Sequence, residues 1–593
     1  MKILFSALEP SSNLHAKEVI LCLLKNLYQQ EKKQSEISTK KSKQSDKILR
    51  TKENPQQNAT QATNKIKLLG IFDKNLQKQV AKKFAIFLEG ESCDLHGGLH
   101  AKSFAKSHAN ICTKSSAKSI HNFAKTDFAK IDSAKDFTQD FAQLDFAKKA
   151  NDFIEKHLSF KPLFFSQDFA IMGFVDVAKK IFFILQAQSQ LLQIAKEADK
   201  ILFLDSSSFH IPLAKKIKSS GIKTPIYYYI LPQVWAWKKW RVKVLERVFD
   251  RLLAILPFEV GYYSIKARES KKICFVGHPL LDELDFSAIE QRESQQKEAK
   301  SMQDFAQKQG LMQKVAKYHK DTTHSNAQSN TMRIVFMPGS RVGEIARIFP
   351  TFREVANALE SKILKSSNDF DTAFDITKSK KSTNFANTTN ATNSAKTNST
   401  KSTQNPKQNL KKDFIKILVV PAFFGDKSRE ELELIYGDLS GFELSFDTQD
   451  SLKKAHFAFI CSGTATLEAA LLGIPFVLCY KAARLDYLIA RTFVKLRYIG
   501  LANIFYNALC GEEAGRGESK MHQELIQGDM TTKNLLNAFE CELERAKDGH
   551  FITSAKKLWE YLSAKNISHI SIEKKLAKTY YGSAQNVANM LMN

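Results

Sequence analysis

Residues 332–345 read MRIVFMPGSRVGEI. Arg333 to Met337 is a short apolar run with the look of a buried strand, and Pro338-Gly339 ends it. From Gly343 to about Leu359 apolar residues return every three or four positions, the spacing of a helix. A strand that turns on glycine into a helix is half of a parallel βαβ unit, and its turn lies where such sheets bind ligands. Residues 456–475, HFAFICSGTATLEAALLGIP, repeat the pattern: strand, glycine turn, then a helix from Thr466 to Leu472.

Outward from these two stretches, similar short apolar runs recur. KILFSA (2–7), KLLGIF (67–72), ILFLD (201–205), IYYYI (226–230), LLAIL (252–256) and ICFVG (273–277) precede them. IKILVV (415–420), FELSF (442–446) and PFVLC (475–479) complete the second set. Continuous apolar strands separated by helices imply parallel sheets covered on both faces. The expected fold is α/β, with two doubly wound Rossmann-like domains. Their expected bounds are 1–283 and 331–534, with 284–330 as a linker or insertion and 535–593 as C-terminal helices.

The chain has 593 residues, 43% hydrophobic and 25% charged, a composition that excludes wholesale disorder. Length alone suggests about four domains. The formal net charge of +26 suggests a partner rich in phosphate: nucleic acid, an anionic membrane or a phosphorylated substrate. Four stretches differ in composition: 30–64, 74–160, 284–330 and 362–412. They read as insertions and carry more than half of the basic excess. The first and last are too polar to order themselves and read as disordered loops. The Phe-Ala-Lys repeats of 74–160 fit amphipathic helix segments or disorder equally.

The eight cysteines form no CxxC pair and stand in no metal-ligand spacing with histidine, so they read as buried hydrophobes in a reducing compartment. No metal and no cofactor is expected. MKILFSALEPSS is too short for a signal peptide, and no apolar run reaches the ~18 residues of a spanning helix. The expectation is a cytoplasmic protein, or one attached to a membrane from that side.

Six segments could carry chemistry. Around Gly339, Ser340 and Arg341, backbone N–H groups at a helix start and a guanidinium fit a phosphate; alternatively Ser340 caps the helix and Arg341 stays in solvent. It is not a Walker A loop, since the Gly-Lys-Ser/Thr ending is missing. Ser462, Gly463 and Thr464 form a second such turn, and Glu468, a turn further on, can accept from a ribose diol or merely complement the helix dipole. Asp205 ends a buried strand, where a carboxylate acts as general base or caps a turn. The polar loop Glu9-Pro-Ser11-Ser12-Asn13 follows the first strand. Residues 234–241, VWAWKKWR, hold three of the four tryptophans beside a knot of base. The helix 172–185, with Lys179 and Lys180 on one side, reads equally as core or as a surface that lies on a membrane.

Taken in order, the Glu9/Ser11 loop, IMGFVDV (171–177), LDSSSFHIPLAKKIK (204–218), YYILPQVWAWKKWRVKVLERVFDRLLAILPFE (228–259), FVGHPLLD (275–282), MPGSRVGEI (337–345), SGTATLEAALLGIP (462–475) and YIGLANI (498–504) resemble the lipid-A-disaccharide synthases, glycosyltransferases of GT-B type. The resemblance implies two Rossmann-like domains facing a central cleft. It implies UDP-2,3-diacylglucosamine as donor and 2,3-diacylglucosamine 1-phosphate (lipid X) as acceptor, joined by a single inverting displacement into the β-1',6-linked disaccharide. Asp205 is then the base, with Glu9 as fallback. Gly339, Ser340, Arg341, Glu344, Ser462, Gly463, Thr464, Thr466, Glu468 and Asn503 would surround the UDP group, and Ser11 and Ser12 the acceptor. Met172, Phe174, Val175, Ile181, Phe182 and Leu185 would touch the bilayer, on the cytoplasmic face of an anionic inner membrane. The resemblance also carries a homodimer, in which 535–593 returns to the N-terminal domain. One departure stands out: the first loop, ALEPSSNLHA, keeps Glu9 and Ser11 of a Gly-Glu-x-Ser-Gly-Asp pattern but neither glycine nor the aspartate. The competing readings are another UDP-sugar enzyme of the same architecture, or a module that binds nucleic acid or membrane through charge. No nucleic-acid motif accompanies the charge, so nucleic acid is not an expected partner.

Overall fold

The computed structural model describes residues 1–45, 65–95, 134–169, 174–236, 238–308, 331–366, 414–461, 463–483, 496–564 and 582–593. They divide into two compact units, Met1–Phe286 with Lys557–Asn593, and Ser287–Ile489 with Arg497–Lys556.

The first unit is built on a seven-stranded sheet in the order β3-β2-β1-β4-β5-β6-β7. Its strands are β1 (Lys2–Ala7), β2 (Ile66–Phe72), β3 (Leu158–Phe165), β4 (Lys200–Leu204), β5 (Ile226–Tyr229), β6 (Arg251–Ala254) and β7 (Ile273–Phe275). All neighbours pair in parallel, with Ile3 beside Lys200 and Ala7 beside Leu204. Alternate residues feed the two faces. Phe5, Leu202 and Leu204 enter one core with Leu23 and Leu24, whereas Leu4, Ile201 and Phe203 enter another with Leu191 and Leu213. Burial on both sides is why the strands read as unbroken apolar runs.

The second unit carries six parallel strands in the order β10-β9-β8-β11-β12-β13. They are β8 (Met332–Met337), β9 (Phe414–Val419), β10 (Phe442–Ser445), β11 (Phe457–Ile460), β12 (Phe476–Tyr480) and β13 (Gln523–Ile526). The helix Val342–Ser366 covers one face through Ile345, Ile348, Phe349, Phe352 and Val355, spaced for a single apolar stripe.

All four stretches set aside as insertions are partly fold, the fourth through 362–366 at the end of the helix Val342–Ser366. Residues 30–45 continue the helix Pro10–Ser45 and do not form a loop. Lys32 there donates to Glu91 (2.8 Å), and Glu31 accepts from Lys156 (2.6 Å). Within 74–160 the helix Leu76–Leu95 buries Val80, Phe84 and Leu88, and the helix Ala134–His157 buries Ala150 and Ile154. Strand β3 then closes the edge of the sheet. The segment 284–330 contains the helix Ser287–Lys308, which belongs to the second unit. Its Arg292 donates to the carbonyls of Leu452 (3.3 Å), Lys453 (2.7 Å) and Ala455 (3.1 Å). The tract 367–413, most of the fourth stretch, lies outside the described residues.

The C-terminal helix Ala584–Met592 packs Val587, Ala588 and Leu591 into the first unit's core. Asn586 donates to the Val276 carbonyl (2.9 Å), and the Asp282 carboxylate accepts from the Ala584 amide (3.0 Å). Among the described residues, no helix is long and apolar enough to cross a membrane.

Candidate active site

In the first sheet the strand order reverses between β1 and β4, and in the second between β8 and β11. At such points the connections leave in opposite directions and open a crevice at the carboxyl ends of the strands. The four motif turns sit there in two pairs: Leu8–Asn13 with Asp205–Ser206, and Pro338–Arg341 with Cys461–Thr464.

In the first unit, Asp205 and Ser206 both adopt left-handed backbone, with φ of 50° and 45°. For residues with a Cβ this conformation costs of order 1 kcal/mol each, so something must hold it. The Asp205 amide donates to the Tyr229 carbonyl (3.0 Å). The Asp205 carbonyl accepts from the Tyr228 hydroxyl (3.0 Å) and from His210 Nδ1 (2.7 Å). Burial pushes His210 down to about 4, so the ring is neutral near pH 7. With its proton on Nδ1, the other nitrogen, Nε2, accepts from the Ser6 hydroxyl (2.9 Å). The imidazole also stacks on Phe203, with ring centroids 4.6 Å apart.

Held in this way, the Asp205 carboxyl is pushed up to about 6, first by burial and then by the charge of Glu9. The Ser206 hydroxyl donates to Glu9 Oε1 (3.2 Å), joining the two turns. Asn13 organises the first of them. Its amide donates to the carbonyls of Ala7 (3.2 Å) and Glu9 (2.9 Å), and its oxygen accepts from the Asp73 amide (2.9 Å). Ser11 is exposed, whereas Ser12 is buried with no partner for its hydroxyl among the described residues. Glu9 and Ser206 line a cavity of about 420 Å³, together with Leu8, Asp73, Gln167 and Phe169 among others.

In the second unit, Gly339 has φ of 109°, and a Cβ there would lie 2.9 Å from Glu344 Oε2 and 3.3 Å from Cys461 Sγ. The positive φ favours glycine, and the missing Cβ leaves the backbone open to an approaching anion. The Cys461 amide donates to the Met337 carbonyl (2.8 Å), which ties the two turns of this unit together. Ser340 is exposed, and the Arg341 side chain is 83% exposed with a 3.3 Å contact to Glu344. Such a surface pair holds little energy and leaves the guanidinium free to re-aim. Gly463 (φ 125°) begins the helix Thr464–Leu471 with open space around its Cα, and Thr464 is exposed. Thr466 is buried and spends its hydroxyl on the Gly463 carbonyl (2.9 Å). Glu468 is half-buried, and Ser462 lies outside the described residues.

Asn503 is buried and uses its whole amide within the protein. It donates to the His522 carbonyl (3.0 Å) and to Glu524 (2.8 Å), and accepts from the amides of Met521 (2.8 Å) and His522 (3.2 Å). Glu524, pushed up to about 7 by burial, also accepts from the amides of Ile499 (2.9 Å) and Gly500 (3.2 Å). The pair therefore fixes the entry to the helix Leu501–Leu509.

On the helix Phe174–Glu197, Ile181, Phe182 and Leu185 are exposed, Phe182 by 77%, while Ala187, Leu191 and Ala195 are core. Met172 and the side chains of Phe174 and Val175 lie outside the described residues. Trp235 is buried against Phe258, Trp240 is exposed with Arg241 over its ring, and Trp237 lies outside the described residues. Among the described residues no three His, Cys, Asp or Glu side chains gather as metal ligands.

A model of the lipid-A-disaccharide synthetase family matches residues 137–307 and 397–565. The lipid-A-disaccharide synthase of Helicobacter pylori (strain Shi470) is 43% identical over 403 residues, which span 68% of this chain and 84% of that protein. The chain belongs to the lipid-A-disaccharide synthetase family. It is thereby a glycosyltransferase of lipid A disaccharide synthesis. The Campylobacter jejuni (strain RM1221) lipid-A-disaccharide synthase is 36% identical, over 70% of this chain and 87% of that protein. Among solved structures, a putative UDP-N-acetylglucosamine 2-epimerase from Listeria monocytogenes aligns over 89% of this chain and 95% of its own. Its identity is 11% and its TM-score 0.34, a level at which the superposition has no bearing on the site.

His210, Tyr228, Asp73, Gln167 and Glu524 were not among the residues expected from sequence. Asp73 had a usable signal, since it follows the strand KLLGIF just as Asp205 ends ILFLD. The others come from elements far apart in the chain.

Proposed function

We propose that the chain joins UDP-2,3-diacylglucosamine to 2,3-diacylglucosamine 1-phosphate, giving the β-1',6-linked disaccharide 1-phosphate and UDP. The acceptor's 6-hydroxyl oxygen bonds to the donor's anomeric carbon as the bond from that carbon to the UDP oxygen breaks. The hydroxyl proton passes to the Asp205 carboxylate, and UDP departs with the electron pair. One displacement turns the α-linked donor into a β-linked product.

The observation that carries this reading is the Asp205 carboxyl at the first switch point, held near 6 by burial and by Glu9. It is ionised at pH 7 yet a stronger base than an ordinary carboxylate, which suits an alcohol nucleophile. The Gly339–Arg341 turn and the Ser462–Thr464 turn stabilise the departing diphosphate through N–H groups and the guanidinium. Glu344 braces Arg341 when the site is empty, and Glu468 accepts from the ribose. Thr466 positions the turn at Gly463 and Asn503 the entry to the helix Leu501–Leu509; their polar atoms bond within the protein and need not touch UDP.

Exposed Ile181, Phe182 and Leu185 supply an apolar face for the cytoplasmic surface of the inner membrane, and the net charge of +26 favours anionic lipid. A homodimer would repeat, between two copies, the contacts that Ala584–Met592 makes within one; sedimentation of the purified protein tests it. Turnover is tested by mixing both acylated sugars with folded protein and following UDP. No UDP release refutes the reading, and release with non-acylated UDP-N-acetylglucosamine as sole donor points to a different UDP-sugar enzyme.

A further inference from the structure

The cavity at the first switch point has a mixed lining. Its polar side chains are Glu9, Asp73, Ser166, Gln167, Ser206 and Ser208, of which Ser206 is adjacent in sequence to Asp205. Its apolar side chains are Leu8, Phe169, Ile184 and Phe209, with Phe169 packed on Phe209 (5.6 Å between centroids) and on Phe183 (5.0 Å). Ile184 is three residues from Ile181 and one from Leu185, so the apolar lining runs along one helix face from the cavity to exposed side chains. Asp73 and Gln167 stand at the rim, where the Gln167 amide donates to Asp73 Oδ2 (2.5 Å). The Asp73 backbone amide is fastened to the Leu8–Asn13 turn through Asn13 (2.9 Å).

Charge narrows the choice of occupant. Among the described residues the lining includes two carboxylates, Glu9 and Asp73, and no Lys, Arg or His. Such a lining repels a phosphate group and accepts the uncharged part of a ligand, with its hydroxyl or amide donors. The group that must meet the base is the acceptor's hydroxyl, and that base adjoins Ser206 of the lining. We propose that this cavity is the acceptor's acyl-chain subsite, with Ile184, Phe169 and Phe209 around the chain and Asp73 and Gln167 as acceptor-specificity residues that bond the sugar's amide or hydroxyl groups. The proposal rests on the reading of an acylated sugar acceptor given above.

Its test is a binding measurement made without donor, which keeps it separate from UDP release. 2,3-Diacylglucosamine 1-phosphate with acyl chains of increasing length is titrated into wild type, Ile184→Trp and Ile184→Ala. In wild type each added methylene tightens binding about fourfold until the cavity is full. Ile184→Trp fills the cavity, so its affinity stops rising at a shorter chain. Ile184→Ala enlarges it, so the rise continues to a longer one. The half-buried position tolerates both changes, and a thermal melt verifies folding. Asp73→Asn weakens the acceptor several-fold at every chain length and leaves UDP affinity unchanged. The proposal is overturned if the length at which affinity levels off is the same in all three proteins, or if that length shifts for the acylated UDP-sugar and not for the acceptor. Absent UDP release beside an intact chain-length shift refutes the reaction and retains the subsite.

Discussion

Replacing Asp205 by asparagine should stabilise the protein while stopping its chemistry. The carboxyl is raised from 3.8 to about 6, chiefly by burial and then by Glu9. A shift of about two units corresponds to ~3 kcal/mol between the protonation states. The sign follows from where the proton binds more tightly, which is the folded state. Below pH 3.8 both states are protonated and there is no penalty; as pH rises toward about 6 the folded state loses stability, and above that the full penalty remains. The asparagine side chain carries no charge at any pH. Asp205→Asn should therefore match wild type near pH 4 and exceed it at pH 8 by up to ~3 kcal/mol. At roughly 2–4 °C per kcal/mol for a unit of this size, the melting transition rises by about 6–12 °C. The same variant loses the general base, worth about 10²–10⁴-fold in turnover. Wild-type kcat/KM should itself fall about tenfold per pH unit below the carboxyl's titration. Paired thermal melts and UDP-release assays across this pH range measure both arms. A stability difference that does not change with pH, or near-normal turnover at pH 8, refutes the assignment of Asp205 as a strained, buried base.

The remaining predictions concern what surrounds that carboxylate and the second switch point. His210→Phe keeps the ring stack on Phe203 but removes the 2.7 Å bond to the Asp205 carbonyl and orphans the Ser6 hydroxyl. Turnover should fall about ten- to a hundredfold with a displaced acid limb, and His210→Asn, which keeps a donor, should recover part of it. Equal losses in the two variants refute the positioning role. Gly339→Ala places a Cβ 2.9 Å from Glu344 Oε2 at φ 109°; calorimetric UDP affinity should drop tenfold or more, and an unchanged Kd refutes close backbone approach there. Arg341→Ala removes an exposed side chain, so stability should change by less than ~0.5 kcal/mol while UDP binding weakens about tenfold or more. Unaltered affinity removes Arg341 from the phosphate site.

Both sheets and all four motif turns were legible because buried parallel strands announce themselves as unbroken apolar runs. The two strands that escaped notice, β3 and β13, are edge strands. Their sequences, LSFKPLFF and QELI, mix polar with apolar residues because one side faces solvent. Pro162 lies in the first of them, where an edge strand tolerates a missing N–H. Low complexity concealed the helices that flank β3. The Phe-Ala-Lys repeats look like insertion, yet within 74–160 Val80, Phe84 and Leu88 stand at i, i+4 and i+8 of one helix, and Ala150 and Ile154 at i and i+4 of another. Periodicity was present, and composition obscured it. Some of the basic excess assigned to insertions therefore sits on the fold itself. Asp205 and Gly339 could be singled out from their places at strand ends. The clamp on Asp205 could not, because Ser6, His210 and Tyr228 meet only after β1, β4 and β5 have paired.

The two switch points use one backbone device for opposite electrostatic ends. Each sheet turns its chain into left-handed backbone just after a central strand: Asp205 and Ser206 after β4, Gly339 after β8, Gly463 after β11. Where glycine occupies the corner, nothing projects, and N–H groups at helix starts are left open to an anion, which suits a leaving diphosphate. Where aspartate occupies it, a carboxylate projects at the head of the sheet, which suits removal of a proton. The glycine corner is nearly free of strain. The aspartate corner carries backbone strain, burial of an anion and a like charge at Glu9, and so it alone needs bracing by His210, Tyr228 and the Tyr229 carbonyl. The bracing residues should then matter most at high pH, where the carboxylate is charged, and little at low pH. A purely structural trio would not show that dependence.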